Sequence, residues 1–321
     1  MRIRWNSIIT TLAALAVLSL APILIARQAG QPGAAGAAAA QGGQRGDGAG
    51  AAPAGQRGGG RGRGAQANQP PAGPVPRLSN GKPDLSGLWA NPYTPNMARG
   101  GVLDPATRQP LKWDRQGERL ADAKGEPKTF DLPYTEWGLR QWKNYDAATN
   151  GDYAGSCMPF GMSRNINSPH GLQIVHHPDA IAFLFEQNTW FHWVPTNPSF
   201  KWPADLPPSW NGVSVGRWEG DTLVVETTGF NGWTKLDTAG HPHSKELKLT
   251  NTFTRLDSRT MEHTVTVHDP KAYTRDWMNV RTWRIKDYPD VIMEYSCEEN
   301  NIGLFDGTIK PWRPPTEEEL Q

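Results

Sequence analysis

The sequence predicts a mainly β protein: a single antiparallel β-barrel or sandwich with one long irregular segment and few helices. Two observations carry this. From residue 172 onward, short runs rich in β-branched and aromatic residues recur with turn residues between them, the spacing of an all-β domain. Within the runs apolar and polar residues alternate, as in Glu246-Leu-Lys-Leu-Thr-Asn-Thr-Phe-Thr254, where a period of two sets one face against a core.

Taken in chain order, the first element is not part of that core. Arg2 and Arg4 precede an apolar run from Ile8 to Ala26, which reads as a signal peptide with a basic first region. Leu24 stands where a cleavage site usually has a small residue, so residues 1–26 read as a signal peptide or as an uncleaved anchor nearly long enough to span a bilayer. Either reading predicts export, to the periplasm or beyond, with the membrane touched only through this segment. Residues 27–76 are Gly, Ala, Gln, Pro and Arg without an aromatic residue or apolar periodicity. Such a stretch buries too little surface to offset ordering entropy, and a disordered tether is expected.

Charge divides the chain at the same place. Residues 1–75 carry seven arginines and one aspartate, hence +6, while the whole chain is +1 and the remainder therefore −5. A mildly acidic folded part has no electrostatic basis for holding a phosphate backbone, which excludes nucleic acid as its partner.

Residues 77–321 suffice for one β-rich domain. Residues 91–156 are rich in Pro, Asp, Gly and Lys, and a long irregular segment in a β domain reads either as a strap or lid across an opening or as an ordinary structural wrap. It contains one predicted helix, from about Thr135 to Asp146: Trp137, Gln141 and Tyr145 recur at helical spacing, and Thr135 is placed to cap the first turn. Strands are expected at Leu172–Val175, Ala180–Glu186, Trp190–Val194, Ser214–Trp218, Thr222–Thr228, Glu246–Arg255, Thr260–His268, Arg281–Ile285 and Val291–Cys297. The Gly-Asp pair in Trp218-Glu-Gly-Asp-Thr222 marks a hairpin. On Thr260–His268, Met261, His263, Val265 and Val267 share one face, so His268 points the opposite way. The two cysteines, Cys157 and Cys297, are an even count in an exported chain and are expected to pair. Closing so long a loop contributes about 4–5 kcal/mol in the chain-entropy account.

Several blocks resemble those of a large, uncharacterised family of exported bacterial proteins: Gly216-Arg-Trp-Glu-Gly-Asp-Thr-Leu-Val-Val-Glu-Thr-Thr-Gly-Phe-Asn231, Gly240-His-Pro-His-Ser244, His268-Asp-Pro-Lys-Ala-Tyr-Thr-Arg275 and the region around Glu294-Tyr-Ser-Cys297. The resemblance runs from about residue 82, with Asp84-Leu-Ser-Gly-Leu-Trp89, to residue 301, and implies export without implying an activity. Where members carry Cys-His-Glu-Gly-Asn, this chain has Cys297-Glu298-Glu299-Asn300-Asn301, a carboxylate in place of a histidine that could be a ligand. Gly87-Leu88-Trp89 is also similar to the Gly-x-Trp of lipocalin-like barrels, which implies an up-and-down barrel with a tryptophan closing one end and a small ligand inside.

The densest candidate chemistry is His241-Pro-His243, in a chain of eight histidines. An extended His-x-His places both imidazoles on one side, where they could share Zn²⁺ or Cu²⁺, with His263, His268, Glu226 or Glu262 as further ligand. The alternative is a polar turn. His243 with Asp237 is a candidate acid/base pair for a hydrolase, lyase or isomerase. Asp269, Tyr273 and Arg275 form a second polar group, in which Arg275 could grip a carboxylate. His176 and His177, being neighbours on a strand, receive no role. No Gly-x-Ser-x-Gly, Ser-x-x-Lys, phosphate loop or dinucleotide fingerprint is present. Thirteen tryptophans lie beyond the tether, a density that suits hydrophobic, aromatic or sugar ligands. Trp89, Trp190, Trp193, Trp218 and Tyr273 are the candidate binding rings. The expected function is binding of a small hydrophobic or aromatic ligand, with the enzyme and a carbohydrate-binding envelope protein as alternatives.

Overall fold

Alternating runs of this kind must pair side by side to satisfy their backbones and bury one face, and the computed structural model shows them doing so. It describes residues 71–122, 124–146, 153–299 and 301–320. The segment read as signal peptide or anchor, and nearly all of the tether, lie outside the described residues. In chain order the elements are β1 (Gly87–Ala90), a small hairpin of β2 (Arg119–Ala121) and β3 (Pro127–Thr129), helix α1 (Glu136–Asn144), helix α2 (Met162–Ile166), β4 (Leu172–His177), β5 (Ala180–Phe185), β6 (Phe191–Pro195), β7 (Val213–Glu219), β8 (Thr222–Thr228), β9 (Lys248–Arg255), β10 (Thr260–His268), β11 (Trp277–Ile285), and short helices α3 (Ile302–Phe305) and α4 (Glu317–Leu320).

Nine strands form one sheet in the order β6-β5-β4-β1-β11-β10-β9-β8-β7. Because β1 pairs with both β4 and β11, the order around the sheet is up-and-down, and the sheet curls into a nearly closed barrel. All eight successive pairings are antiparallel. An odd strand number then leaves the edges β6 and β7 running in the same direction, which no tight hairpin can join; residues 196–212 make the crossing. The seam is closed by side chains. The buried imidazole of His192 lies 2.6 Å from Ser214 Oγ, which lies 2.7 Å from Thr227 Oγ1. A Cβ on Gly216 would stand 2.9 Å from Val194 and 3.0 Å from Thr196 side-chain atoms, so its absence allows β7 to approach β6.

The predicted faces are those observed. Leu249, Asn251 and Phe253 of β9 and Met261, His263, Val265 and Val267 of β10 are all buried, whereas His268 is exposed. Trp89, Phe183, Phe253, Met261 and Trp283 are fully buried inside the barrel, with ring centroids 5.2 Å apart for Phe183 and Phe253 and 5.6 Å for Phe253 and Trp283. A polar layer crosses this core. His263 Nε2 lies 2.9 Å from Asn251 Oδ1, and the Arg281 guanidinium donates to Asn279 and Asn167. The barrel interior is thus occupied by side chains. The β7–β8 turn has Gly220 at φ +59°, as a two-residue hairpin requires.

The irregular segment packs along the barrel. Leu103 exchanges backbone hydrogen bonds with Met278 at the start of β11, and Met97, Val102, Leu111, Phe130, Leu132 and Trp142 are buried along it. Thr135 caps α1, accepting from Gly138 N at 3.1 Å. The disulfide joins Cys157 to Cys297 across 140 residues, as expected from the cysteine count.

The predicted strand Val291–Cys297 does not form. Both sides of β11 are taken, by β10 and β1, so the run has no edge to join, and Val291 and Met293 are exposed. The disulfide instead carries the C-terminal segment toward the strap. The described residues belong to one unit, Ala65–Gln321, and no helix among them is long and apolar enough to cross a membrane.

Candidate functional site

Two of the sequence blocks singled out above, Gly240–Ser244 and His268–Arg275, meet each other. The turn beginning at Asp237 reverses at Gly240, where φ is +84° and a Cβ would fall 2.0 Å from a Tyr145 ring atom, so only glycine fits. Reversal brings His241 back onto Asp237: Nδ1 is 2.5 Å from Asp237 Oδ2, and both residues are fully buried. Asp237 also accepts from Met97 N at 2.6 Å. On the other ring edge, His241 Nε2 faces Asp131 Oδ2 at 3.4 Å, and Asp131 accepts from Tyr134 Oη at 3.1 Å. Burial alone would push the imidazole pKa down, but the Asp237 and Asp131 carboxylates outweigh it and raise it to about 10. His241 is therefore an imidazolium, held between two carboxylates.

His243 has the opposite character. Its Nδ1 donates to Ser244 O at 3.0 Å and its Nε2 accepts from Thr234 Oγ1 at 2.7 Å. Burial lowers its pKa to about 4, so it is neutral. Asp269 holds the next block against this one, accepting from Ser244 N (2.6 Å), Ser244 Oγ (2.8 Å) and Ala272 N (3.1 Å). Tyr273 Oη donates to Pro242 O at 2.7 Å. Helix α1 docks on the same turn, since a Cβ on Gly138 would fall 2.0 Å from Ala272 O.

Beside this network lies a cavity of about 790 Å³ between α1, the loop preceding His241 and the C-terminal segment. Trp137, Tyr145, Trp233 and Trp312 supply its rings, and Lys235 and His243 also line it. Trp233 and Trp312 are held by Trp210, with centroids at 5.3 and 5.0 Å. The C-terminal wall is anchored by the disulfide, by Trp312 N donating to Ser156 Oγ at 3.1 Å, and by Gln141 Nε2 donating to Glu319 O at 3.0 Å. Trp210 also lines a smaller groove of about 280 Å³ at the β6–β7 seam, with Trp190, Trp193 and Trp202. Family profiles, characterised proteins and solved structures yield no match to the chain.

The four candidate metal ligands are dispersed. His241 bonds Asp237, His243 bonds Thr234 and Ser244, His263 sits inside the barrel, and His268 is exposed beside Asp276 at 2.7 Å. Glu226 pairs with Lys248 and Arg217, and Glu262 with Arg108. Among the described residues no group of three or more histidines, cysteines or carboxylates is arranged to hold a metal ion. Asp237 partners His241 rather than His243. Arg275 is exposed and donates to Lys112 O at 2.9 Å.

Of the candidate rings, Trp89 is a core residue beneath the Arg255 guanidinium, 5.1 Å from its ring centre. Trp218 stacks on His176, and Tyr273 is buried. Trp190 and Trp193 line the seam groove and not the larger cavity. The larger cavity uses residues the sequence reading missed, chiefly Trp233, Lys235 and Trp312. Their signal was local: Trp233-Thr-Lys235 puts a ring and a cation two residues apart after Gly232, and Lys310-Pro-Trp-Arg-Pro314 interleaves cations, proline and an aromatic ring.

Proposed function

We propose that the chain is an exported β-barrel protein that binds a small aromatic molecule in the strap-side cleft rather than within the barrel. One observation carries this reading: the cavity of about 790 Å³ walled by Trp137, Tyr145, Trp233 and Trp312. Its volume falls in the range of drug-sized ligand sites, and indoles offer broad apolar faces at small entropic cost. A barrel interior filled by Trp89, Phe183, Phe253 and Trp283 leaves the strap side as the place for a guest. Export is supported by the basic-then-apolar N-terminus and by the disulfide, which suits an oxidising compartment.

Titration with neutral 2-naphthamide, followed by tryptophan fluorescence and calorimetry, tests the reading. The expected dissociation constant lies in roughly the micromolar to millimolar range for a ligand of this size. Binding is expected to vanish in the Trp233→Ala/Trp312→Ala double variant and to survive Trp190→Ala. Absence of saturable binding, or binding indifferent to the double variant, overturns the proposal.

A further inference from the structure

The aromatic cleft contains a cation with no counter-ion among the described residues. Lys235 enters it from the loop that leads to His241, its ammonium 5.4 Å from the Tyr145 ring centre. Among the described residues no carboxylate pairs with Lys235. The surrounding charges do not supply one. His243 is neutral, and Tyr145 and Tyr153 present phenols. From α1, Arg140 adds a second cation with no carboxylate partner among the described residues. The C-terminal wall brings Lys310 and Arg313, with Glu319 committed to Arg313 at 2.7 and 2.8 Å and Glu318 the other acid. Among the described lining residues cations thus outnumber carboxylates. Burial pushes the Lys235 ammonium down to about 8, the mark of a cation short of solvent and of partners.

Resting on the aromatic-ligand reading, we propose that the natural ligand is an aromatic carboxylate, with Lys235 receiving the carboxylate while Trp233 and Trp312 pack on the ring. A carboxylate entering here meets an ammonium already stripped of water. The ion pair restores the solvation that folding removed, and an uncharged ligand of the same shape leaves the cost unrecovered.

The test compares 2-naphthoate with 2-naphthamide, matched in shape and different in charge, on the full-length, disulfide-bonded protein by calorimetry. The acid is expected to bind roughly tenfold to a hundredfold tighter at neutral pH, the weight of a charge-assisted hydrogen bond in a desolvated site. Lys235→Met should abolish that preference, with the amide still binding saturably to show that the variant cleft is folded. Lys235→Arg should keep a preference. Raising the pH from about 7 to about 9.5 should weaken naphthoate binding to the natural protein but not to Lys235→Arg, because the guanidinium keeps its proton. Equal affinity for acid and amide overturns the carboxylate inference and leaves the aromatic reading standing. A preference that survives Lys235→Met but falls in Arg140→Met overturns the role of Lys235. Failure of both probes to bind overturns both readings.

Discussion

His241 is the residue whose charge the fold fixes most firmly. Two carboxylates hold its pKa near 10, above the unfolded value of about 6.5. A base with a raised folded pKa stabilises fully below its unfolded pKa and loses that contribution as pH rises through the folded one. Asp237→Asn removes the closer carboxylate and leaves an imidazolium inside the protein. The expected loss is about 3–5 kcal/mol, measured by urea unfolding at neutral pH. The variant should also lose less stability than the parent between about pH 7 and pH 10, since His241 then has less proton affinity to forfeit. An Asp237→Asn protein as stable as its parent at neutral pH defeats this account. The histidine pair was conspicuous in the sequence, but its wiring was not. Which imidazole meets Asp237 depends on the reversal at Gly240, and that reversal packs against the Tyr145 ring, ninety-five positions away in the chain.

At the level of elements, the barrel is as strong as its seam. Everywhere else a backbone ladder joins neighbours, whereas β6 and β7 are held by His192, Ser214, Thr227 and the Trp202 indole, which donates to Ser214 O at 2.7 Å. Ser214→Ala deprives a buried imidazole nitrogen and a buried hydroxyl of their partner, at a cost of about 2 kcal/mol. Amide hydrogen exchange should then quicken in β6 and β7 while β9, β10 and β11 keep their protection. A uniform acceleration would show that the seam is no separate cooperative element. Strand positions were legible wherever alternation and turn chemistry coincided: Thr222–Thr228 and Thr260–His268 begin and end where expected. β11 starts at Trp277 rather than Arg281 because the strap and β10 both pair with its first residues. Val291–Cys297 misled because a strand needs an open edge as well as a pattern, and no local signal tells that β1 has already taken it.

Over the whole molecule, the polar interior sets a limit on acid stability. His192 and His243 have pKa values pushed by burial to about 4, and burial with the Arg281 charge drives His263 well below its usual value. All three are neutral when folded and bind a proton when unfolded below about pH 6.5. A depressed folded pKa in a base means that stability falls as pH drops through the window between the two values. Each histidine contributes up to about 1.4 kcal/mol per pH unit there, so the three together give a slope of about 4 kcal/mol per unit, steep against a typical domain stability of about 5–15 kcal/mol. The aromatic cleft was the least legible part of the chain for a related reason: α1, the loop before His241 and the C-terminal segment are distant in sequence and meet only after the strap and the disulfide have placed them. Acid should therefore disassemble barrel and cleft together, since His263 lies in one and His243 lines the other. Unfolding curves at pH 7, 6, 5 and 4.5, read by near-ultraviolet dichroism for the indoles and far-ultraviolet dichroism for the strands, are expected to shift in step. His192→Gln should flatten the slope by about one histidine's share. Stability that is level from pH 7 to 4.5 would mean that these imidazoles take up protons in the folded state as readily as in the unfolded chain, and the neutral assignment of His192, His243 and His263 would fall.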